Sequence, residues 1–170
     1  MKTTLKVNRK NILELFNELY KDVSEYLGVK VEQPKVEINK KGYDCAYDFE
    51  NNIIYIRSKR TKEELKYCIT EEIFHYLFFS INPSIKQFFL SENDKEEKFK
   101  LAFLIEVITK YLIFDFFKKK GDKAMIKYIQ ENRILQEEYL DKYKRIAKFL
   151  LKLDISKKEN KSRIYKELSN

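Results

Sequence analysis

The chain has 170 residues, 44% hydrophobic and 15% aromatic, enough to bury one core and too apolar for a disordered segment. Three Gly and two Pro exclude a turn-rich all-β architecture, and two Cys exclude a disulfide framework or a CxxC zinc site. The net charge of +8 is confined to one end, since residues 1–117 carry 19 basic and 19 acidic residues whereas residues 118–170 carry 16 and 8.

From Asn8, the text NRKNILELFNELYKDVSEYLG sets Ile12, Leu15, Phe16, Leu19, Tyr20, Val23, Tyr26 and Leu27 at helical spacing. Asn8 can cap this helix and Gly28 can end it in a left-handed turn. The period then changes. VKVEQPKVEIN alternates apolar and polar residues around Pro34, and YDCAYDFE followed by NNIIYIRS predicts two strands with a tight turn near Glu50, Asn51 and Asn52. A sheet of about three strands is expected, with residues 53–57 as one late strand.

Thr61 begins the next element, where TKEEL carries a capping box with Glu64, and the helix is expected to run to about Phe79 before Asn82-Pro83 stops it. SIKQFFLSENDKEE reads as a surface loop with a short helical turn. A long apolar helix is expected from Lys95 to Lys119, ending at Gly121. Asp122 then caps another that runs through IKYIQENRILQEEYLDKYKRIAKFLLKL, and a short basic helix follows Ser156. The fold class is α+β and mostly helical: N-terminal helix, small sheet, two central helices and a C-terminal helical extension. The best seam is Gly121, dividing residues 1–120 from a basic extension of residues 121–170.

MKTTLKVNRK has no apolar leader core, and the most apolar stretch, LAFLIEVITKYLIFDFF, is broken by Glu106, Lys110 and Asp115. A cytoplasmic protein with no membrane partner is expected, with Cys45 and Cys68 as isolated, buried, reduced thiols. The basic C-terminal third can bind nucleic acid through phosphate contacts, but its lysines are interleaved with Glu and Asp, which favours solvated helix faces.

The only histidine, His75, lies in ITEEIFHYLFF. On a helix, Cys68, Glu71, Glu72 and His75 fall on one stripe. Two residues four apart on such a face can bind one metal ion, and a carboxylate beside the first can hold a water over it, which is the physical content of HExxH. Here the text is Glu71-Glu72-Ile73-Phe74-His75, with glutamate in place of the first histidine. The lack of a second Glu-x-x-His excludes a di-iron bundle. Cys68, seven residues from His75 on the same helix, is too far along it for a Cys-His pair. Further along, Glu106 sits among apolar neighbours in AFLIEVITK, where an unpaired carboxylate is costly to bury. An exposed ion pair with Lys110 is the competing account of that position.

The order helix, small sheet, IIYIRS strand, TKEEL and then IT-EE-IF-HYL resembles the zincin fold of metallopeptidases. The likeness is to the compact gluzincin-like and ImmA/IrrE-like domains, whose active-site helix often reads I-A-H-E-x-x-H-Y-L, and it covers about residues 8–117. It implies a peptide or protein substrate and a zinc ion, with Mn²⁺ or Fe²⁺ as alternatives, or no metal if the altered motif has lost its function. Glu71, His75 and Glu106 would be the metal ligands, with Glu97 a weaker alternative to Glu106, and Glu72 would be the general base. The substrate would lie antiparallel to the strand of Ile53, Ile54, Tyr55, Ile56 and Arg57. Tyr76 and Tyr111 are available to steady a tetrahedral intermediate. A site with two Glu and one His is harder and more anionic than the family's two His and one Glu, so an inactive scaffold with a binding or regulatory role is the alternative.

Overall fold

The structure is a computed structural model that describes residues 8–39, 44–58, 60–91, 95–135 and 144–145. It is α+β and mostly helical, with five helices and a three-stranded sheet among the described residues.

Helix α1 (Arg9–Leu27) begins where the Asn8 side chain accepts from the Asn11 N–H at 2.8 Å. It ends at Gly28, whose φ of 68° lets its N–H reach the Glu25 carbonyl while Val29 reaches that of Ser24. Its apolar face, Ile12, Phe16, Leu19, Tyr20 and Val23, is buried.

The strands are β1 (Lys35–Asn39), β2 (Ala46–Asp48) and β3 (Ile53–Arg57). The β2–β3 turn is held by the Asp48 carboxylate, which accepts from the Glu50 and Asn51 N–H groups, and Asn52 takes the left-handed conformation. The strand order is β1-β3-β2, with β1 parallel and β2 antiparallel to β3. Of the residues 53–57 expected to line a substrate, Ile53, Ile54 and Tyr55 are paired on both sides and so offer no free edge, while Ile56 and Arg57 are paired with β1 alone. Alternate residues Ile54 and Ile56 are fully buried.

Helix α2 (Lys62–Ile81) starts with both halves of the capping box formed between Thr61 and Glu64. It packs against α1, the sheet and all three later helices. That explains why its buried residues fall on every side, from Leu65 and Ile69 to Phe74 and Leu77.

Residues read as a loop form helix α3 (Pro83–Ser91). Pro83 takes the first helical position, where its missing N–H costs nothing, and so starts α3 as well as ending α2. Ile85, Phe88 and Phe89 form its inner stripe, with Phe89 against Phe49 and Phe79.

Helix α4 (Lys95–Lys120) carries Glu96 and Glu97 in its first turn and three lysines in its last, both favourable to its dipole. It stops at Gly121, with φ 69°. Helix α5 (Lys123–Glu131) is capped by Asp122, which accepts from the Met125 N–H at 3.1 Å and pairs with Lys66 at 2.5 Å. It is shorter than the sequence suggests, because Asn132 turns its side chain back to the Tyr128 carbonyl and Arg133 takes a positive φ of 51°. Met125 and Ile129 join the same buried cluster as α1, β3, α2 and α4, so α5 packs onto the core at the Gly121 seam. The expected continuation of this helix from residue 136, and the helix after Ser156, lie outside the described residues. No helix among the described residues is long and apolar enough to cross a membrane.

Candidate active site

α2 and α4 pack side by side and bring His75 opposite Glu106. His75 is enclosed, with its side chain 12% exposed, and Glu72 behind it is 9% exposed; Glu106 is 47% exposed and forms the solvent side. The Glu72 Oε2 lies 3.3 Å from His75 Nδ1, three residues along the same helix. On the far side of the ring, His75 Nε2 lies 3.4 Å from Glu106 Oε1. That contact is a charge contact without hydrogen-bond alignment, so Nε2 is a buried polar atom with no hydrogen-bond partner.

Glu71 is one residue from Glu72 and differs in its partner, since the Tyr67 hydroxyl donates to Glu71 Oε1 at 3.1 Å. Tyr67 had no place in the sequence argument, yet it stands four residues before Glu71 and so on the same helical face, which was the available signal. Glu106 pairs with His75 and not with Lys110 among the described residues. Glu97, in the first turn of α4, pairs with Lys100. Tyr76 is buried and donates to the Glu32 carbonyl, beside Tyr20, whose hydroxyl donates to Val31. It fastens the segment between α1 and β1, which removes it from the tetrahedral-intermediate role. Tyr111 is buried on α4.

Three carboxylates around one imidazole give the site its electrostatics. Burial pushes the Glu71 carboxyl up, and the Glu72 and Glu106 charges add to this, outweighing His75 and the Tyr67 hydrogen bond. Burial alone would depress His75, but its hydrogen bond to Glu72 and the charges of Glu72, Glu106 and Glu71 outweigh it and hold the imidazole above its ordinary value. Burial raises Tyr67 strongly, with Glu71 adding to it, so Tyr67 is the donor in the pair. The pocket is therefore one that favours positive charge.

The donors fit a metal ion in part. With metal–nitrogen and metal–oxygen bonds of about 2.0–2.2 Å, two ligand atoms of a tetrahedral zinc stand about 3.4 Å apart. His75 Nε2 and Glu106 Oε1 have that separation, and Nε2 lacks a hydrogen-bond partner. Glu72 on Nδ1 is the kind of outer partner that aims Nε2 at a metal. The third donor is not in place: Tyr67 holds Glu71, and among the described residues no group of three or more His, Cys, Asp or Glu is arranged to hold an ion.

Cys45, just before β2, and Cys68, one turn before Glu71–Glu72, are free thiols, half-buried where the sequence led to the expectation of full burial. No family model, curated protein or solved structure matches this chain.

Proposed function

We propose that the chain is a metallopeptidase-like protein whose site lies between α2 and α4. Its chief support is the buried His75 Nε2, which has no hydrogen-bond partner and faces Glu106 Oε1 at 3.4 Å, with Glu72 on the opposite ring nitrogen. The element order of helix, small sheet, motif helix and glutamate helix is consistent with a zincin-like scaffold.

His75 and Glu106 would hold a divalent cation, with Glu71 as the third donor. The metal would supply Lewis acidity for a water and a peptide carbonyl, zinc being suited to the imidazole and Mn²⁺ or Fe²⁺ to the excess of carboxylates. With a metal bound, His75 would keep its proton on Nδ1 against Glu72 and offer the Nε2 lone pair on the Glu106 side. To act as the general base, the Glu72 carboxylate would have to leave Nδ1 for the Nε2 side, where it would take the proton of the attacking water and pass it to the leaving amine. Burial of His75 and Glu72 excludes bulk solvent from the inner side, while half-exposed Glu106 leaves the outer side open to a peptide.

The second reading is a zincin-like scaffold that binds or regulates a protein partner without catalysis. The Tyr67 grip on Glu71 favours it, because it occupies the residue that replaces the first family histidine.

Hydrolysis of a mixed peptide library by metal-stripped protein, then with Zn²⁺, Mn²⁺ or Fe²⁺ restored, separates the two. The peptidase reading predicts metal-dependent cleavage that falls by about a hundredfold or more in Glu72→Gln. Cleavage that survives Glu72→Gln removes Glu72 as the base, and metal binding without cleavage leaves the scaffold.

A further inference from the structure

β1 and β3 run parallel, so both end on the same side of the sheet, where the Ser58 N–H reaches the Asn39 carbonyl at 3.4 Å. The carboxyl ends of parallel strands are where open sheets take up ligands, because side chains from separate connections converge there. Three charged residues meet at this end. Arg57 is the last residue of β3, and the register of β2, continued two residues back from the Ala46–Tyr55 pair, sets Asp44 beside it. Arg60 comes from the connection to α2, directly before the Thr61 cap. One oxygen of Asp44 takes Arg57 Nη1 at 3.2 Å and Arg60 Nη2 at 2.5 Å.

One arginine is enough to tie the start of β2 to the end of β3. The second brings like charge to the same oxygen, and a single carboxylate balances only one of the two guanidinium groups. Neither arginine is a loose surface cation: the Arg60 side chain is 17% exposed, and the Nε atoms of both are buried with no hydrogen-bond partner. Asp44 is 72% exposed, and among the described residues it is the only carboxylate paired with either guanidinium. The fold thus fixes two cations from the inside, and their shared anion is the solvent-facing member.

We propose that Arg57 and Arg60 form a binding site for a phosphoryl dianion, as free phosphate or the end of a small phosphate monoester, which displaces the Asp44 carboxylate. A phosphoryl group carries close to two negative charges at neutral pH and three strong acceptor oxygens, so it matches both guanidinium charges and accepts a fork of N–H donors from each. A carboxylate brings one charge and two oxygens. Asp44, once replaced, turns into water at little cost, since an exposed ion pair is worth little. The first turn of α2 adds the exposed Lys62 and the positive end of the helix dipole, offset by Glu63 and by Glu64, which is bound to the Thr61 N–H. At about 1.5 Å per residue, His75 lies about 20 Å along α2 from Thr61, so this site is separate from the one between α2 and α4 and does not rest on it.

The test is calorimetric titration of the full-length chain with inorganic phosphate and with phenyl phosphate, at an ionic strength held constant with sodium chloride. One anion per chain should bind saturably, about tenfold or more weakly in Arg57→Gln and in Arg60→Gln, and unchanged in Lys10→Gln, which alters a remote, exposed lysine. In Asp44→Asn the competing charge is gone while both arginines stay, so binding should tighten by about threefold or more; a purely structural clamp would loosen instead. Tighter binding of phenyl phosphate than of inorganic phosphate would assign the monoester, and the reverse would assign the free ion. Circular dichroism confirms that the variants are folded, and Asp44→Asn, changed at an exposed position, carries the test if an arginine variant is not. No saturable binding, equal weakening by Lys10→Gln, or weaker binding in Asp44→Asn would each overturn the proposal.

Discussion

His75 Nε2 stands 3.4 Å from Glu106 Oε1 across the α2–α4 interface, while its Nδ1 stands 3.3 Å from Glu72 Oε2. One ring thus joins two helices through two carboxylates, and either a proton on the imidazole or a metal ion between Nε2 and Glu106 can balance the charge. Glu106→Gln distinguishes these roles from a general structural one. Since Glu106 is half-exposed, the variant should stay folded, with Tm within a few degrees of the native value, and lose metal affinity by about tenfold or more. Circular dichroism and a metal titration of the same sample read both.

Tyr67→Phe tests the hold on Glu71. The ring stays in its buried place, so the stability change should be small, about 1 kcal/mol from the lost hydrogen bond. Released from Tyr67 Oη, Glu71 becomes available as a third donor, and metal affinity should rise by several-fold. A fall in affinity would mean that Tyr67 positions Glu71 for the metal.

Asp122 carries a pH dependence that can be signed. Burial would raise its carboxyl, but hydrogen bonds from Lys66 and the Met125 N–H, and the Lys66 charge, outweigh it and hold it below the ordinary aspartate range. A depressed carboxyl stabilises the fold above its unfolded pKa, about 4, and the contribution is lost as pH falls through the lower folded value. Asp122→Asn should therefore cost about 1 kcal/mol near neutral pH, through the lost Lys66 pair and a weaker cap, and the difference from the native chain should vanish in acid. Urea melts at neutral and acid pH measure it.

Phe74 lies inside the motif, yet it faces the core, edge-on to Tyr26 and Phe116 and only 2% exposed. Phe74→Ala should cost about 3–5 kcal/mol by transfer loss and cavity formation. The same denaturant melts check this, and the loss should appear with or without metal because the ring packs in the core against Tyr26 and Phe116.

Local signals carried the sequence reading where local chemistry decides structure. The Asn8 cap, the Gly28 and Gly121 stops, the Thr61–Glu64 box and the Glu50–Asn52 turn are each complete within a few residues, and all appear in the fold. Pro83 misled because proline ends one helix and begins another with the same fixed φ, so α3 looked like a loop. Strand order is non-local: nothing between Ile53 and Arg57 says that β1 would pair in parallel on one side while β2 took the other. At the site, the shared stripe of Glu71, Glu72 and His75 followed from helical periodicity, and the meeting of His75 with Glu106 was a matter of helix packing that only the resemblance suggested.

The central claim, that His75 and Glu106 hold a divalent cation, is tested most directly by calorimetric titration of the metal-free native chain with Zn²⁺ at neutral pH, beside His75→Ala and Glu106→Gln. Saturable binding of one ion per chain, weakened by about tenfold or more in each variant, is the predicted result. No binding by the native chain, or equal binding by all three proteins, would contradict it.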